Sequence, residues 1–116
     1  MQYLLLIYAN EAEAAAAGVA GKAEMMDAYR AFTQSIIQGG QFKAGDALQP
    51  TSTATTVRVR DGKTLITDGP FAETREQLVG YYLIEAKDLD EAIAIGSRVP
   101  SSKFGSIEVR PVMVYS

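Results

Sequence analysis

Two segments of this chain are apolar on both faces of a strand, and this property limits the possible folds most. The first, "QYLLLIY" (residues 2–8), has no hydrophobic alternation, and the second runs from about Leu78 to Glu85. Short apolar runs of this kind predict strands that are covered on both faces. The fold must therefore place a layer of structure against each face of the sheet that contains them.

Two helices are predicted between and after these strands. The first spans about 22–38 and ends at Gly39-Gly40, and its inner stripe recurs at helical spacing: Met25, Tyr29, Phe32 and Ile36. The second is capped by Asp88 and ended by Pro100, and its inner side is predicted to hold Leu89, Ala92 and Ile93, with Ile95 as a further candidate. The Ala-rich stretch 10–20 predicts a loop or a turn or two of helix, with Asn10 and Glu13 in a weak capping pattern.

The remaining strands complete a recognisable order. A weaker strand is predicted over 41–48, and a hairpin pairs Thr55 to Arg60 with Lys63 to Thr67 across the Asp61-Gly62 turn. The alternating "SIEVRPVMVYS" predicts a last strand. Without the hairpin, the order is βαββαβ in a single domain, 1–116: an α+β, ferredoxin-like antiparallel sheet with two helices on one face.

Two helices leave the other face of that sheet bare, and it would carry Leu, Ile and Tyr side chains as a large apolar patch. A second copy packed face to face is the simplest cover. We therefore expect a homodimer, with a cleft between the two copies as a place for a small-molecule ligand.

Composition removes several classes of function. The chain has no Cys and no His, which excludes disulfides, thiolate chemistry and the commonest metal ligand, so acid–base work would fall to carboxylates, Tyr, Lys or a ligand. A net charge of −3 does not provide the excess positive charge that would attract nucleic acid or an anionic membrane. No run is long enough to span a bilayer, and no basic signal-peptide region precedes the first strand. We expect a cytoplasmic protein without metal or cofactor.

The stretch "TDGPF" offers the strongest candidate site. Pro70 fits the first position of a short helical turn and has no N–H to donate to Asp68. Asp68 is either a turn cap, with Phe71 in the core, or an acid or base at the lip of the cleft, with Phe71 as its wall. Glu73 and Glu76 would share a face of that turn. They are either solvated surface charges or the carboxylate ligands of a metal site.

Other candidates lie on strands. Tyr81 and Tyr82 point to opposite faces, so one is predicted to be core and the other to line the dimer face. Arg110 is a candidate for binding an anionic ligand, or a solvated or paired strand residue. Arg58 and Arg60 fit the wet face of the hairpin.

Long motifs give the chain a family resemblance. "TDGPFAETREQLVGYYLIEAKDLDEAIAI" and "GSIEVRPV", with "LLLIY" and "AYRAFTQ" earlier, resemble the DGPF-motif proteins of the YCII-related superfamily. The resemblance implies a dimeric α/β barrel on a ferredoxin-like fold, a bacterial origin and genes beside those of extracytoplasmic-function sigma factors. It also implies a catalytic His–Asp pair, of which Asp68 would be the Asp; this chain has no His.

Two hypotheses follow. In one, the dimer cleft binds or transforms a small organic molecule by cofactor-independent acid–base chemistry such as isomerisation. Asp68 is then the acid/base or polar anchor, and Phe71, Tyr81, Tyr82 and Arg110 are the binding candidates. In the other, the domain is a noncatalytic regulatory or interaction module linked to sigma-factor systems, and the DGPF motif is purely architectural.

Overall fold

The strand β1 (Gln2–Ala9) lies in the middle of a four-stranded antiparallel sheet, between β5 (Gln77–Glu85) and β6 (Ser106–Pro111). The strand β2 (Phe42–Ala47) pairs with the other edge of β5, which gives the order β2-β5-β1-β6. The two segments that are apolar on both faces are thus the two central strands. The computed structural model describes residues 1–115, and it confirms the α+β class and the ferredoxin-like order.

Two helices, α2 (Gly18–Gln38) and α3 (Leu89–Ser97), cover one face of this sheet. The short helix α1 (Glu11–Ala15) buries no side chain, and 3-10 turns lie at Thr51–Thr53 and Pro100–Lys103. Both predicted caps are confirmed: the Asn10 side chain accepts the Glu13 N–H, and Asp88 accepts the Glu91 N–H, each at 2.9 Å. Among the described residues, no helix combines the length and the apolar character that crossing a bilayer demands.

The core lies between the helices and the sheet. Every second residue of β1 is buried there, and these side chains meet Phe32 and Ile36 of α2, as the predicted stripe requires. The other strands and α3 complete the cluster: Tyr3, Leu5, Ile7, Phe32, Ile36, Tyr82, Ile84, Ala86, Ala92, Ile95 and Val99. Burial of this apolar area is the main stabilising term of the fold.

The predicted inner side of α3 is partly wrong. Leu89 and Ile93 are 48% and 50% exposed, whereas Ala92, Ile95 and Gly96 are buried. The buried set continues to Val99, which gives a stripe at i, i+3, i+4 and i+7. Small residues at 92 and 96 let the helix lie close to the sheet: a Cβ added at Gly96 would stand 3.5 Å from a Val109 methyl.

The hairpin forms as predicted, and we call it the arm: β3 (Thr55–Arg60) paired with β4 (Lys63–Asp68). Asp61 and Gly62 at its tip have φ of +50° and +74°. Two successive positive φ values are typical of the two-residue turns that match strand twist. The arm is a sheet of its own, separate from the four-stranded sheet.

The segment after the arm is not the helical turn that Pro70 predicted. Residues 69–76 contain no helix. Gly69 has φ +99°, and its N–H donates to the Ala54 carbonyl at 2.7 Å while its carbonyl accepts the Thr56 hydroxyl at 2.8 Å. These bonds turn the chain sharply back on β3, so Glu73 and Glu76 do not share a helical face.

The last strand is shorter than predicted, because β6 ends at Pro111 and residues 112–115 are not in a strand. A proline supplies no N–H to a ladder, which favours an end there. The final residue of the predicted strand, Ser116, lies outside the described residues.

A close contact across the sheet gives the first prediction. A Cβ at Gly45 would lie 2.7 Å from the ring of Tyr82, its partner on β5. We expect Gly45→Ala to lower the free energy of unfolding by about 1–3 kcal/mol, the usual cost of overpacking, in a denaturant titration. In a Tyr82→Ala background, where the ring is gone, the same change should cost less than about 1 kcal/mol; an equal cost in both backgrounds would contradict the contact.

Candidate functional site

The face of the four-stranded sheet turned away from the helices is its open face, and the strand register arranges its side chains in rows. One row crosses all four strands as Asp46, Tyr81, Leu6 and Glu108. The next row reads Ala44, Leu83, Leu4 and Arg110, and a third holds Leu78, Tyr8 and Ser106. The centre of the open face is therefore apolar, and charged groups lie at both edges.

At the β2 edge, the Tyr81 hydroxyl donates a hydrogen bond to Asp46 Oδ2 at 2.7 Å. This bond and the negative charge of Asp46 raise the pKa of the Tyr81 phenol above its ordinary value. The phenol therefore keeps its proton at neutral pH and remains a hydrogen-bond donor. Asp46 remains an acceptor with a second oxygen free for a ligand.

At the β6 edge, an Arg110 terminal nitrogen lies 2.7 Å from Glu108 Oε2. These residues share one side of the strand, two positions apart, and both are partly exposed, so the ion pair is open to exchange with a ligand anion. Strands are spaced by about 4.8 Å, so Asp46 and Glu108 lie roughly 14 Å apart across three spacings. Leu4 and Leu6 lie between the two polar edges.

The arrangement provides a protonated phenol, two carboxylates and a guanidinium around an apolar floor. Such a set can orient a ligand and accept or return a proton. Among residues 1–115, no three Asp or Glu side chains converge into a group that would hold a metal ion.

Tyr81 and Tyr82 lie on opposite faces of the sheet, as predicted for adjacent residues of a strand. Tyr81 lies on the open face, while Tyr82 is 8% exposed on the helix side. There its hydroxyl shares a hydrogen bond with Thr33 at 2.6 Å, and its ring packs edge-on against Phe32 at 5.2 Å. The proposed ligand role of Tyr82 therefore does not fit the open face, whereas Arg110 does lie there.

The DGPF residues lie apart from these polar pairs. Asp68 is the last residue of β4, paired with Thr55, and its side chain is exposed without a hydrogen bond to any described residue. Phe71 is 78% exposed, so it does not fill the core. Glu76 accepts a hydrogen bond from the Ser106 hydroxyl at 2.7 Å, which ties this corner to β6.

Sequence reasoning missed Asp46 and Glu108. Glu108 alternates with Ile107 and Val109, so its place beside Arg110 was readable from the strand period. Asp46 was harder to place, because β2 is weakly patterned and its pairing with β5 shifts between Phe42 and Ala44. Only that register puts its carboxylate opposite Tyr81.

A groove of about 710 Å³ lies on the helix side, between α2 and the Pro100–Lys103 turn. The Arg98 guanidinium stands 5.8 Å above the Phe32 ring there, with Lys103 nearby on the lining. Both cations lie at ends of helical segments where backbone carbonyls concentrate negative potential. The fold accounts for them without a ligand, so we place the candidate site on the open face.

Comparison with known proteins identifies the family of the chain. The model of the YCII-related domain matches residues 1–116. An uncharacterized protein of Rhizobium meliloti (strain 1021) is 36% identical over 117 residues, covering 99% of this chain and 94% of the relative. Both matches run through the central strands, the arm and the DGPF corner. The chain therefore belongs to the YCII-related family.

Proposed function

We propose that the open face binds a small organic molecule in a cleft between two copies of the chain. The observation that carries this is the combination of an uncovered apolar floor with two polar pairs, Tyr81–Asp46 and Arg110–Glu108, at its edges. Ligand sites are mostly apolar with a few placed polar groups. The ligand class that fits has an apolar body, a polar group that donates to Asp46 or takes over the single Tyr81 O–H from it, and an anionic end for Arg110.

A second copy is the cover that the open face best accommodates. Leu4, Leu6 and Leu83 are only half-buried, since α2 and α3 pack on the other side of the sheet. In an isologous dimer, these three side chains of both copies would be buried in the same interface. It would also bring the Arg110 cation of each copy near the carboxylates of the other, which favours a facing arrangement.

The chemistry proposed for the cleft needs no metal or nicotinamide. Asp46 and Glu108 act as proton acceptors. When its single O–H turns from Asp46 to the ligand, the Tyr81 phenol stabilises negative charge that develops on a carbonyl oxygen. An isomerisation by proton transfer suits these groups. Asp68 enters the cleft as acid/base or polar anchor, and Phe71 as a wall, only when the arm of one copy lies against the other.

A second candidate function is favoured by the geometry of the DGPF corner. Gly69 uses a positive φ and bonds through both its N–H and its carbonyl to the β3 side, which is an architectural role. On this view the domain is a noncatalytic regulatory or interaction module, in bacterial sigma-factor systems, and Asp68 needs no ligand.

Asp68→Asn distinguishes the two proposals. Because the carboxylate is exposed, we expect the variant to melt within about 1 °C of wild type. A compound that raises the wild-type melting temperature in a library of small organic acids and carbonyl compounds should have no effect on it. Glu73→Gln, a nearby exposed carboxylate change, is the control that should keep the response. A much lower melting temperature for Asp68→Asn would favour the architectural role, and an equal response would remove Asp68 from the site.

The Tyr81–Asp46 pair predicts a pH effect. We expect Tyr81 to titrate above 10.0 and Asp46→Asn to bring its pKa back toward that value, because the raising charge is lost. The bond therefore stabilises the folded state below pH 10.0 and is lost as pH rises through the raised pKa. Carbon NMR of the tyrosine Cζ, assigned with Tyr81→Phe, measures this. Asp61→Asn at the arm tip should leave the titration unchanged; a wild-type Tyr81 pKa at or below 10.0 would contradict the pair.

Leu6→Asp tests whether a second copy covers the open face. It places a charge at the centre of the open face of each copy, and we expect the dimer Kd to rise at least about 100-fold, since two carboxylates would be desolvated together. Sedimentation velocity measures the Kd. The control is Ile93→Asp on the exposed side of α3, which should leave the Kd within about twofold. A Leu6→Asp protein that dimerises like wild type would contradict a dimer through this face.

A further inference from the structure

The arm is amphipathic, and its apolar side faces solvent. The register puts Val57 opposite Ile66 on one side, with Val59 next along β3 on that side. These three side chains are 60%, 69% and 60% exposed, respectively. The other side of the arm carries the cations Arg58, Arg60 and Lys63. An exposed strand pair with one continuous apolar side is suited to burial against another surface.

A second exposed apolar segment follows β6. Met113, Val114 and Tyr115 are 71%, 87% and 86% exposed, although all are large hydrophobic residues. The segment is held at its start, where the Val112 N–H donates to the Gln2 carbonyl at 3.0 Å. We call residues 112–115 the terminal segment.

The arm and the terminal segment leave the sheet at opposite ends. The arm connects to the sheet where Ala9 pairs with Gln77, and the terminal segment begins where Pro111 pairs with Tyr3. Within one chain the two apolar surfaces therefore lie apart. The arm leaves from the β2–β5 side of the sheet and the terminal segment from the β6 edge. A two-fold axis that lies in the plane between two facing sheets and crosses the strands obliquely would bring each arm to the terminal segment of the other copy.

We propose that the apolar side of the arm docks on the terminal segment of a second copy, so that two identical contacts clasp the dimer. This rests on the facing-sheet dimer of the proposed function and adds to it the partner surface for the arm. A closed two-fold arrangement satisfies both arms and both terminal segments at once. The occupant is this chain itself.

The size of the interface supports the clasp. Four strands of about six residues give the open face a projected area of roughly 400 Å². A stable interface buries about 800 Å² of accessible surface per partner, and contacts of the arm would add to the area that the sheet supplies. The radius of gyration is 16.2 Å, whereas a compact chain of this length has about 13 Å. Part of the chain therefore extends away from the main body.

Charge also favours the second copy. Residues 55–68 hold three cations and two anions, a net +1, which leaves −4 for the rest of a chain whose total is −3. A positive arm is attracted to the acidic body of another copy, and its basic side stays in water when the apolar side docks. Asp68 shares the apolar side at the base of the arm, so docking carries it toward the partner.

Single cysteines test the contact cleanly, because the native chain has none. Ile66→Cys protein is mixed with an equal amount of Met113→Cys protein, oxidised mildly, and run on a non-reducing gel. We expect a covalent dimer of the two different variants, since a disulfide needs Cα atoms within about 7 Å. Leu65→Cys mixed with Met113→Cys is the matched control: Leu65 is adjacent but on the other side of the arm, and the yield should fall at least fivefold.

The outcomes separate this proposal from the dimer itself. A dimeric wild type whose Ile66 and Leu65 variants cross-link equally, or not at all, overturns the clasp and leaves the facing-sheet dimer intact. Cross-linking of Ile66→Cys with itself in preference shows arm-to-arm packing and also overturns it. A monomeric wild type overturns the dimer and the clasp together. As a second readout, Val57→Ser/Ile66→Ser should raise the dimer Kd at least about tenfold, while Arg58→Ser/Leu65→Ser should not.

Discussion

The structure depends on an imbalance between its sheet and its helices. The central strands β1 and β5 are apolar on both faces, yet the helices α2 and α3 both pack on the same face. The helix side forms a close-packed core around Leu5, Ile36 and Ile84, each fully buried. The open face remains a second hydrophobic surface without a layer of its own. Because burial of apolar area is the main favourable term in association as in folding, we propose that a second copy packs on this surface.

The polar groups on the open face determine what kind of interface it could form. A purely apolar open face would suggest a permanent, dry interface, but Asp46, Tyr81, Glu108 and Arg110 lie on it at the edges. Charges that are fully buried between two copies need partners or water. A cleft that keeps the edges hydrated and the centre apolar satisfies both requirements. The proposed dimer and the proposed ligand site therefore both rest on the same surface.

Much of this architecture is readable from the sequence. Strand periods placed Tyr81 and Tyr82 on opposite faces, and the Asp61-Gly62 turn placed the arm, because two-residue turns and alternation are local properties. The errors came where tertiary contacts decide. The nine-residue α3 has apolar residues around much of its surface, so Leu89 and Ile93 were assigned inward until packing against β6 set the rotation.

The DGPF corner and the polar pairs show the same limit. Pro70 alone favours a helical turn, but the bonds from Gly69 to β3 override it, and those partners lie more than ten residues away. Asp46 lies opposite Tyr81 because the β2–β5 register shifts, and no local sequence pattern predicts that shift. Site residues that belong to one strand were predictable; those that meet across strands were not.

The most direct test is the molar mass of the wild-type chain in solution, measured by sedimentation equilibrium across micromolar concentrations. If a second copy covers the open face, we expect about twice the chain mass of 12.5 kDa, with a single dimer species at the upper concentrations. A mass of 12.5 kDa at every concentration would show that the open face is stable in water as a monomer, and would contradict the account.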